Sequence, residues 1–252
     1  MRQGEKMKKK RKPKVFIGKL NKRILFLVLV LLVMFVIIAF LSNTRIFQTL
    51  GRKSGEVIVV DPGHGGIDGG TSDSSGLLEK DINLDVSLKL KKELNKEGFN
   101  VIMTRNKDES LEEYSNVNAS RYKRDLNARK TIVNENKPKA FISIHVNSNK
   151  RSSARGVQVY YYPTSDESRR LAENICESIN EIVYRDYLGD YDLEAQPMAE
   201  NFFILRETEA SGVLVEIGFI TNLEDNKLLQ DNKYKKKIAI AIMEGIKMYS
   251  VK

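Results

Sequence analysis

A chain of 252 residues is long enough for one or two domains, each with its own packed core. It holds 42 Lys and Arg against 33 Asp and Glu, but eleven of the basic residues and a single Glu fall within residues 1–23, leaving the rest at −1 with the two signs interleaved. That excludes a basic nucleic-acid-binding face as the default reading, and the lone Cys176 excludes an internal disulfide and a cysteine-rich zinc site.

Residues 1–23 form a basic tail, and residues 24–41, ILFLVLVLLVMFVIIAFL, follow without a charge. A helix apolar on every side does not suit a soluble surface. At ~1.5 Å per residue it would be roughly 27 Å long, close to the ~30 Å hydrocarbon core of a bilayer. The flanking charges place the N-terminus in the cytoplasm. No Ala-x-Ala-like site follows Leu41, which favours an uncleaved single-pass anchor in a bacterial membrane over a signal peptide. The downstream domain is then extracytoplasmic, and secreted if the segment is cut. Residues 42–56 turn polar and contain Gly51, Ser54 and Gly55, a linker composition.

From residue 57 to 252 the chain reads as one α/β domain, a mainly parallel twisted sheet of about six strands flanked by helices in a three-layer arrangement. The β-rich runs are EVIVVD (56–61), FNVIMT (99–104), KAFISIH (139–145), GVQVYYY (156–162), NFFIL (201–205) and GVLVEIGF (212–219). Most are continuously apolar, as buried strands are. Helical periods lie between them at Ile82, Val86, Leu90 and Leu94, at Leu171, Ile175, Ile179 and Ile182, and at Ile238, Ile242, Ile246 and Tyr249. Gly98 closes the first helix, and Thr164 with Glu167 forms a capping box for the second. The stretch 185–201, interrupted by Gly189 and Pro197, is expected to be a substrate-side loop.

Both histidines, His64 and His145, lie at the carboxyl ends of expected buried strands, where side chains from different strands converge on one crevice. Neutral imidazole is the commonest metal ligand, and His₂Glu is a standard hydrolytic zinc set. The carboxylate is expected at Glu79, which follows a glycine-rich loop and opens the first helix, with Asp61, Asp68 and Asp81 as competitors. A second carboxylate, Glu216, interrupts an otherwise apolar strand. It is either one half of a core salt bridge or a general base tuned by burial. Cys176 reads as core packing, and Tyr160, Tyr161 and Tyr162 as strand packing. The segment after Gly63-His64-Gly65 lacks the dinucleotide fingerprint, and no nucleophile elbow, Walker A or His-Glu-x-x-His sequence occurs.

At these residues the sequence resembles the zinc-dependent N-acetylmuramoyl-L-alanine amidases, the amidase type 3 family. The resemblance rests on Val60-Asp61-Pro62-Gly63-His64-Gly65-Gly66 with Asp68, on Ser143-Ile144-His145-Val146-Asn147, and on Leu214 through Asn222, with Thr104-Arg105 and Asn127-Ala128-Arg129 also fitting. It implies that His64, Glu79 and His145 bind one Zn²⁺ per chain and that Glu216 is the catalytic carboxylate. It further implies hydrolysis of the amide between N-acetylmuramic acid and L-alanine in peptidoglycan. The short form with an anchor is most similar to the sporulation amidase that prepares cortex peptidoglycan for muramic-δ-lactam formation. Since no wall-binding domain is visible, a separate extracytoplasmic activator is expected. Two other readings stay open: a metal-dependent phosphoesterase, and a non-catalytic module that binds peptidoglycan.

Overall fold

The computed structural model describes residues 21–43 and 55–251. The basic tail before residue 21 and most of the linker lie outside the described residues. The chain divides into two compact units, residues 1–52 and 53–252. In the first unit, α1 (Lys22–Asn43) is a helix whose described apolar side chains, Phe26 to Phe35, are exposed. Among the described residues, no helix is long and apolar enough to cross a membrane. The apolar run of the sequence extends on both sides of the side chains described.

The second unit is built on six strands: β1 (Val57–Pro62), β2 (Asn100–Met103), β3 (Ala140–Asn147), β4 (Gln158–Tyr161), β5 (Gln196–Ala199) and β6 (Gly212–Phe219). Their order is β2-β1-β3-β6-β4-β5. Strands β1, β2, β3 and β6 pair in parallel, β4 runs antiparallel to β6, and β5 is parallel to β4. The sheet is therefore mainly parallel at its centre and mixed at one edge. The carboxyl ends of β1, β3 and β6 come together, the position where open sheets bind ligands.

Helices α2 (Glu79–Lys96), α4 (Asp166–Ile179) and α7 (Asn232–Ser250) cover one face of the sheet. There Val86, Leu90, Ile175 and Ile242 pack on Ile58, Val60, Ile142 and Val215, all fully buried. Residues of this kind at intervals of three and four make one apolar stripe per helix, which burial on the sheet stabilises by about 25 cal/mol per Å². The other face is covered by less: α3 (Arg121–Asn136) and the single turn α5 (Phe203–Arg206), over Val59, Phe141 and Leu214. Beyond these apolar residues, the same face of β1, β3 and β6 carries Asp61, Ser143, His145 and Glu216. Helix α6 (Leu223–Gln230) follows β6, capped by the Asn222 side chain, which accepts from the N–H groups of Glu224 and Asp225.

Three sequence expectations need correction. NFFIL is not a strand: Phe203–Arg206 forms α5, burying Ile204 and Leu205 against the thinly covered face. The sixth strand is instead β5, whose four residues are all exposed and include Pro197, a combination that only an edge strand tolerates and that apolar pattern cannot reveal. The stretch 185–201 is only partly a loop, because α4 runs on as a wider π-type helix over Asn180–Leu188 before Gly189 ends it in a left-handed conformation. The helix cap lies one residue later than expected: Ser165, not Thr164, accepts from the Ser168 N–H. Helix α3 had no counterpart in the sequence reading.

Candidate active site

The loop after β1 carries His64 in a left-handed backbone conformation, φ 60°, which a non-glycine residue adopts only when its surroundings impose it. Two buried arginines do so. Arg129 of α3 donates to Asp61 Oδ1 at 2.5 Å, to the Pro62 carbonyl at 2.8 Å and to the His64 carbonyl at 2.7 Å. Arg105 donates to the carbonyls of Pro62 and Gly63 at 3.0 and 2.9 Å. Asp61 also accepts from Thr104 Oγ1 and Ser143 Oγ, so the charge of Arg129 is answered by a fully bonded carboxylate. Despite its burial, Asp61 is held below the usual carboxylate range by Arg129 and these hydroxyls.

Glu79 opens α2 and is 4% exposed. Its Oε1 lies 3.2 Å from His64 Nε2 and 3.0 Å from His145 Nδ1. The Val146 N–H also donates to Oε1, and the Thr71 N–H to Oε2, which fixes the carboxylate plane. The imidazole rings of His64 and His145 sit edge to face with centroids 5.0 Å apart. Donor atoms of His64, Glu79 and His145 all lie within 4.8 Å of one another. Zn–N and Zn–O bonds of ~2.0–2.1 Å in a tetrahedron place ligand atoms roughly 3.3 Å apart, which the separations from Glu79 to each imidazole match. The remaining nitrogen of His64, Nδ1, is 2.7 Å from Asp68 Oδ2. A carboxylate on the far nitrogen is the usual device for fixing a metal-binding imidazole.

The electrostatics suit a cation. Burial opposes charge on His64, yet Glu79 and Asp68 pull its pKa up to about 9. Glu79, also buried, is driven far below the carboxylate range by the two histidines. Glu216 behaves in the opposite way. It faces His145 across the β3–β6 pair, its Oε2 is buried without a hydrogen-bond partner, and burial pushes its pKa up to about 7. No cation forms a salt bridge with it among the described residues, which decides against the core-salt-bridge reading.

The structure thus brings together His64, Glu79, His145 and Glu216. Of the competitors, Asp61 is bonded to Arg129, Asp68 supports His64, and Asp81 is exposed in the first turn of α2. Cys176 is buried in the main core with its thiol pushed up to about 12 by burial. Tyr160 packs edge to face on Phe202, 5.2 Å between centroids. The residues that sequence reasoning left without a role are Arg105 and Arg129, whose signal was charge at positions that face the core. A groove of about 420 Å³ opens at His64, lined by Ile67, Asp68, Glu112, Arg121 and Tyr122.

Comparison with known proteins places this geometry. The N-acetylmuramoyl-L-alanine amidase family matches residues 58–248. The germination-specific N-acetylmuramoyl-L-alanine amidase of Bacillus subtilis is 34% identical over 197 residues, 78% of this chain and 80% of that protein. The probable cell wall amidase LytH of Staphylococcus epidermidis is 35% identical over 197 residues, 77% of this chain and 58% of that protein. Among solved structures, the CwlD amidase of Clostridioides difficile, in complex with the GerS lipoprotein, superposes with a TM-score of 0.69 at 35% identity, covering 77% of this chain and 98% of that one.

Proposed function

The chain belongs to the N-acetylmuramoyl-L-alanine amidase family, and from that premise we propose that this peptidoglycan amidase works with one Zn²⁺ held by His64, Glu79 and His145, with Glu216 as its proton-transfer carboxylate. The observation that supports this most is the meeting of three metal donors with a partnerless buried carboxylate at the carboxyl ends of β1, β3 and β6. A two-metal phosphoesterase needs more donors than the single His/Glu/His group found among the described residues. A purely wall-binding module has no use for Glu216 in its costly position.

The reaction adds water across the amide joining the lactyl group of N-acetylmuramic acid to L-alanine. Bound Zn²⁺ supplies a Lewis acid that polarises the carbonyl and acidifies water. Glu216 takes the proton of the attacking water, holds it, and delivers it to the amide nitrogen as the C–N bond breaks, releasing a lactyl carboxylate and the free amino terminus of the stem peptide. Burial raises the Glu216 carboxyl above the ordinary glutamate range, which favours it as a proton acceptor. Asp68 and the arginine-clamped loop keep His64 oriented throughout.

The name of the Bacillus relative, a germination-specific amidase, supports a role in germination, and the complexed Clostridioides structure supports an extracytoplasmic activator protein for this chain too. The basic tail and the apolar run of the sequence support a membrane anchor over 24–41, a linker over 42–56 and a catalytic domain over 57–252. Mass spectrometry of muropeptides after incubation with the chain tests the activity: stem peptides with a free L-alanine amino terminus are expected, and intact glycopeptides would refute it.

A further inference from the structure

Resting on the amidase reading above, we propose that Gln158 binds substrate, its side-chain amide nitrogen donating to a neutral carbonyl oxygen of the glycopeptide other than the one being cleaved. The placement comes from the sheet. His145 on β3 is the register partner of Glu216 on β6, and Glu216 is the register partner of Gln158 on β4. Residues directly opposite in a sheet project to the same face with neighbouring β-carbons. Three strands therefore present one polar row, with the metal-ligand candidate His145 at one end, the proton carrier in the middle and Gln158 at the other end.

The orientation of the Gln158 amide is dictated by its neighbours. The Ser148 N–H can only donate, and it donates to Asn147 Oδ1 at 2.8 Å. That leaves Asn147 Nδ2 to donate to Gln158 Oε1 at 2.9 Å. Tyr160 Oη donates to the same Oε1 at 2.8 Å. With two donors on its oxygen, Gln158 presents its NH₂ away from Asn147 and Tyr160. Both hydrogen bonds of the Gln158 side chain found among the described residues are accepted by Oε1, and Glu216, its register partner, has a buried Oε2 without a hydrogen-bond partner. The β3–β6 register shifts between His145 and Asn147, an irregularity of the kind common beside active sites. Tyr160 is itself held by Phe202. A glutamine that served only to cover the sheet would need no such fixing of its amide.

The acceptor must be neutral, since a carboxylate at this end of the row would meet the charge of Glu216. Two amide carbonyls of the substrate have the required chemistry: the N-acetyl group of the sugar and a peptide carbonyl of the stem. Both are hydrogen-bond acceptors of the same strength, and the substrate variants below separate them.

Steady-state kinetics of the full chain on a defined muropeptide test the proposal. Gln158→Leu, close in shape but without a donor, is expected to raise KM by about 10- to 100-fold while kcat stays within about threefold and zinc content matches wild type. Tyr160→Phe, which loosens the amide without removing it, is expected to raise KM less, by about two- to fivefold. A muropeptide with a free amine in place of the acetamido group, and one with a shortened stem, complete the test. The substrate that costs wild type the Gln158→Leu factor, and costs the variant nothing further, contains the acceptor. An unchanged KM in Gln158→Leu, a loss confined to kcat, or equal penalties for both enzymes on both substrates would overturn the proposal while leaving the amidase reading intact. A wild-type chain that cleaves no muropeptide would overturn both.

Discussion

A β-carbon at Gly63 would stand 2.2 Å from Cε1 and 2.3 Å from Nε2 of His145. The backbone after β1 lies against that imidazole so closely that the ring is seated by the absence of a side chain. Gly63 N–H donates to the Ile144 carbonyl at 2.9 Å, so the strand cannot retreat without breaking a ladder bond. Gly63→Ala must then displace the His145 imidazole from its present seat. The expected outcome is a loss of at least tenfold in zinc affinity with the circular dichroism spectrum preserved, read by competition with a chromogenic chelator. Wild-type affinity in that variant would show that the ring has freedom the packing denies it.

Arg129 is 3% exposed and bonds Asp61, Asp125, Pro62 and His64 at once. Arg129→Met leaves the Asp61 carboxylate buried without its counter-charge, a change that costs about 3–5 kcal/mol. Urea unfolding of the full chain should show that loss, and adding Asp61→Asn should recover part of it. A cost below about 1 kcal/mol would mean that the loop carrying His64 is held by Arg105 alone.

Glu216 gives a pH dependence with a definite sign. Its carboxyl releases its proton near 4.5 in the unfolded chain and at about 7 in the folded one. The stability contributed by the protonated form is complete below pH 4.5 and disappears as pH rises through 7, amounting to about 3 kcal/mol across the window. Glu216→Gln cannot ionise, so in metal-free protein its stability advantage over wild type should grow between pH 4.5 and 7 and then level off. Unfolding curves that stay parallel across that window would contradict the desolvation of Glu216.

The sheet centre and the residues that meet at its carboxyl ends were legible because both leave direct marks in the sequence. Val57 to Pro62, Ala140 to Asn147 and Gly212 to Phe219 are mostly apolar, and in each the few polar residues stand out: Asp61, Ser143 with His145 and Asn147, and Glu216. The edge was hidden for the complementary reason. Strand β5 is exposed along its whole length, whereas the apolar NFFIL stretch forms one helical turn because Ile204 and Leu205 need cover on the thin face and not a place in the ladder. Helix α3 was missed because it buries only Ala128, Arg129 and Val133. A stripe that is one-third arginine does not register as amphipathic. The same arginine holds His64 in place, and nothing in its spacing announces carbonyls that lie 65 and 67 residues earlier. Glu79 could be nominated from its place after the glycine loop, but only the fold shows Asp68 and Asp61 to be occupied elsewhere.

Zinc content of the full chain and its variants, measured by inductively coupled plasma mass spectrometry after equal dialysis, tests the metal centre most directly. The account predicts one zinc per chain in wild type and in Glu216→Gln, with the latter at least 10²-fold less active on peptidoglycan, and below about a tenth of a zinc in His64→Ala, Glu79→Ala and His145→Ala. Full zinc occupancy in any of those three alanine variants, or two metals per chain in wild type, would contradict it.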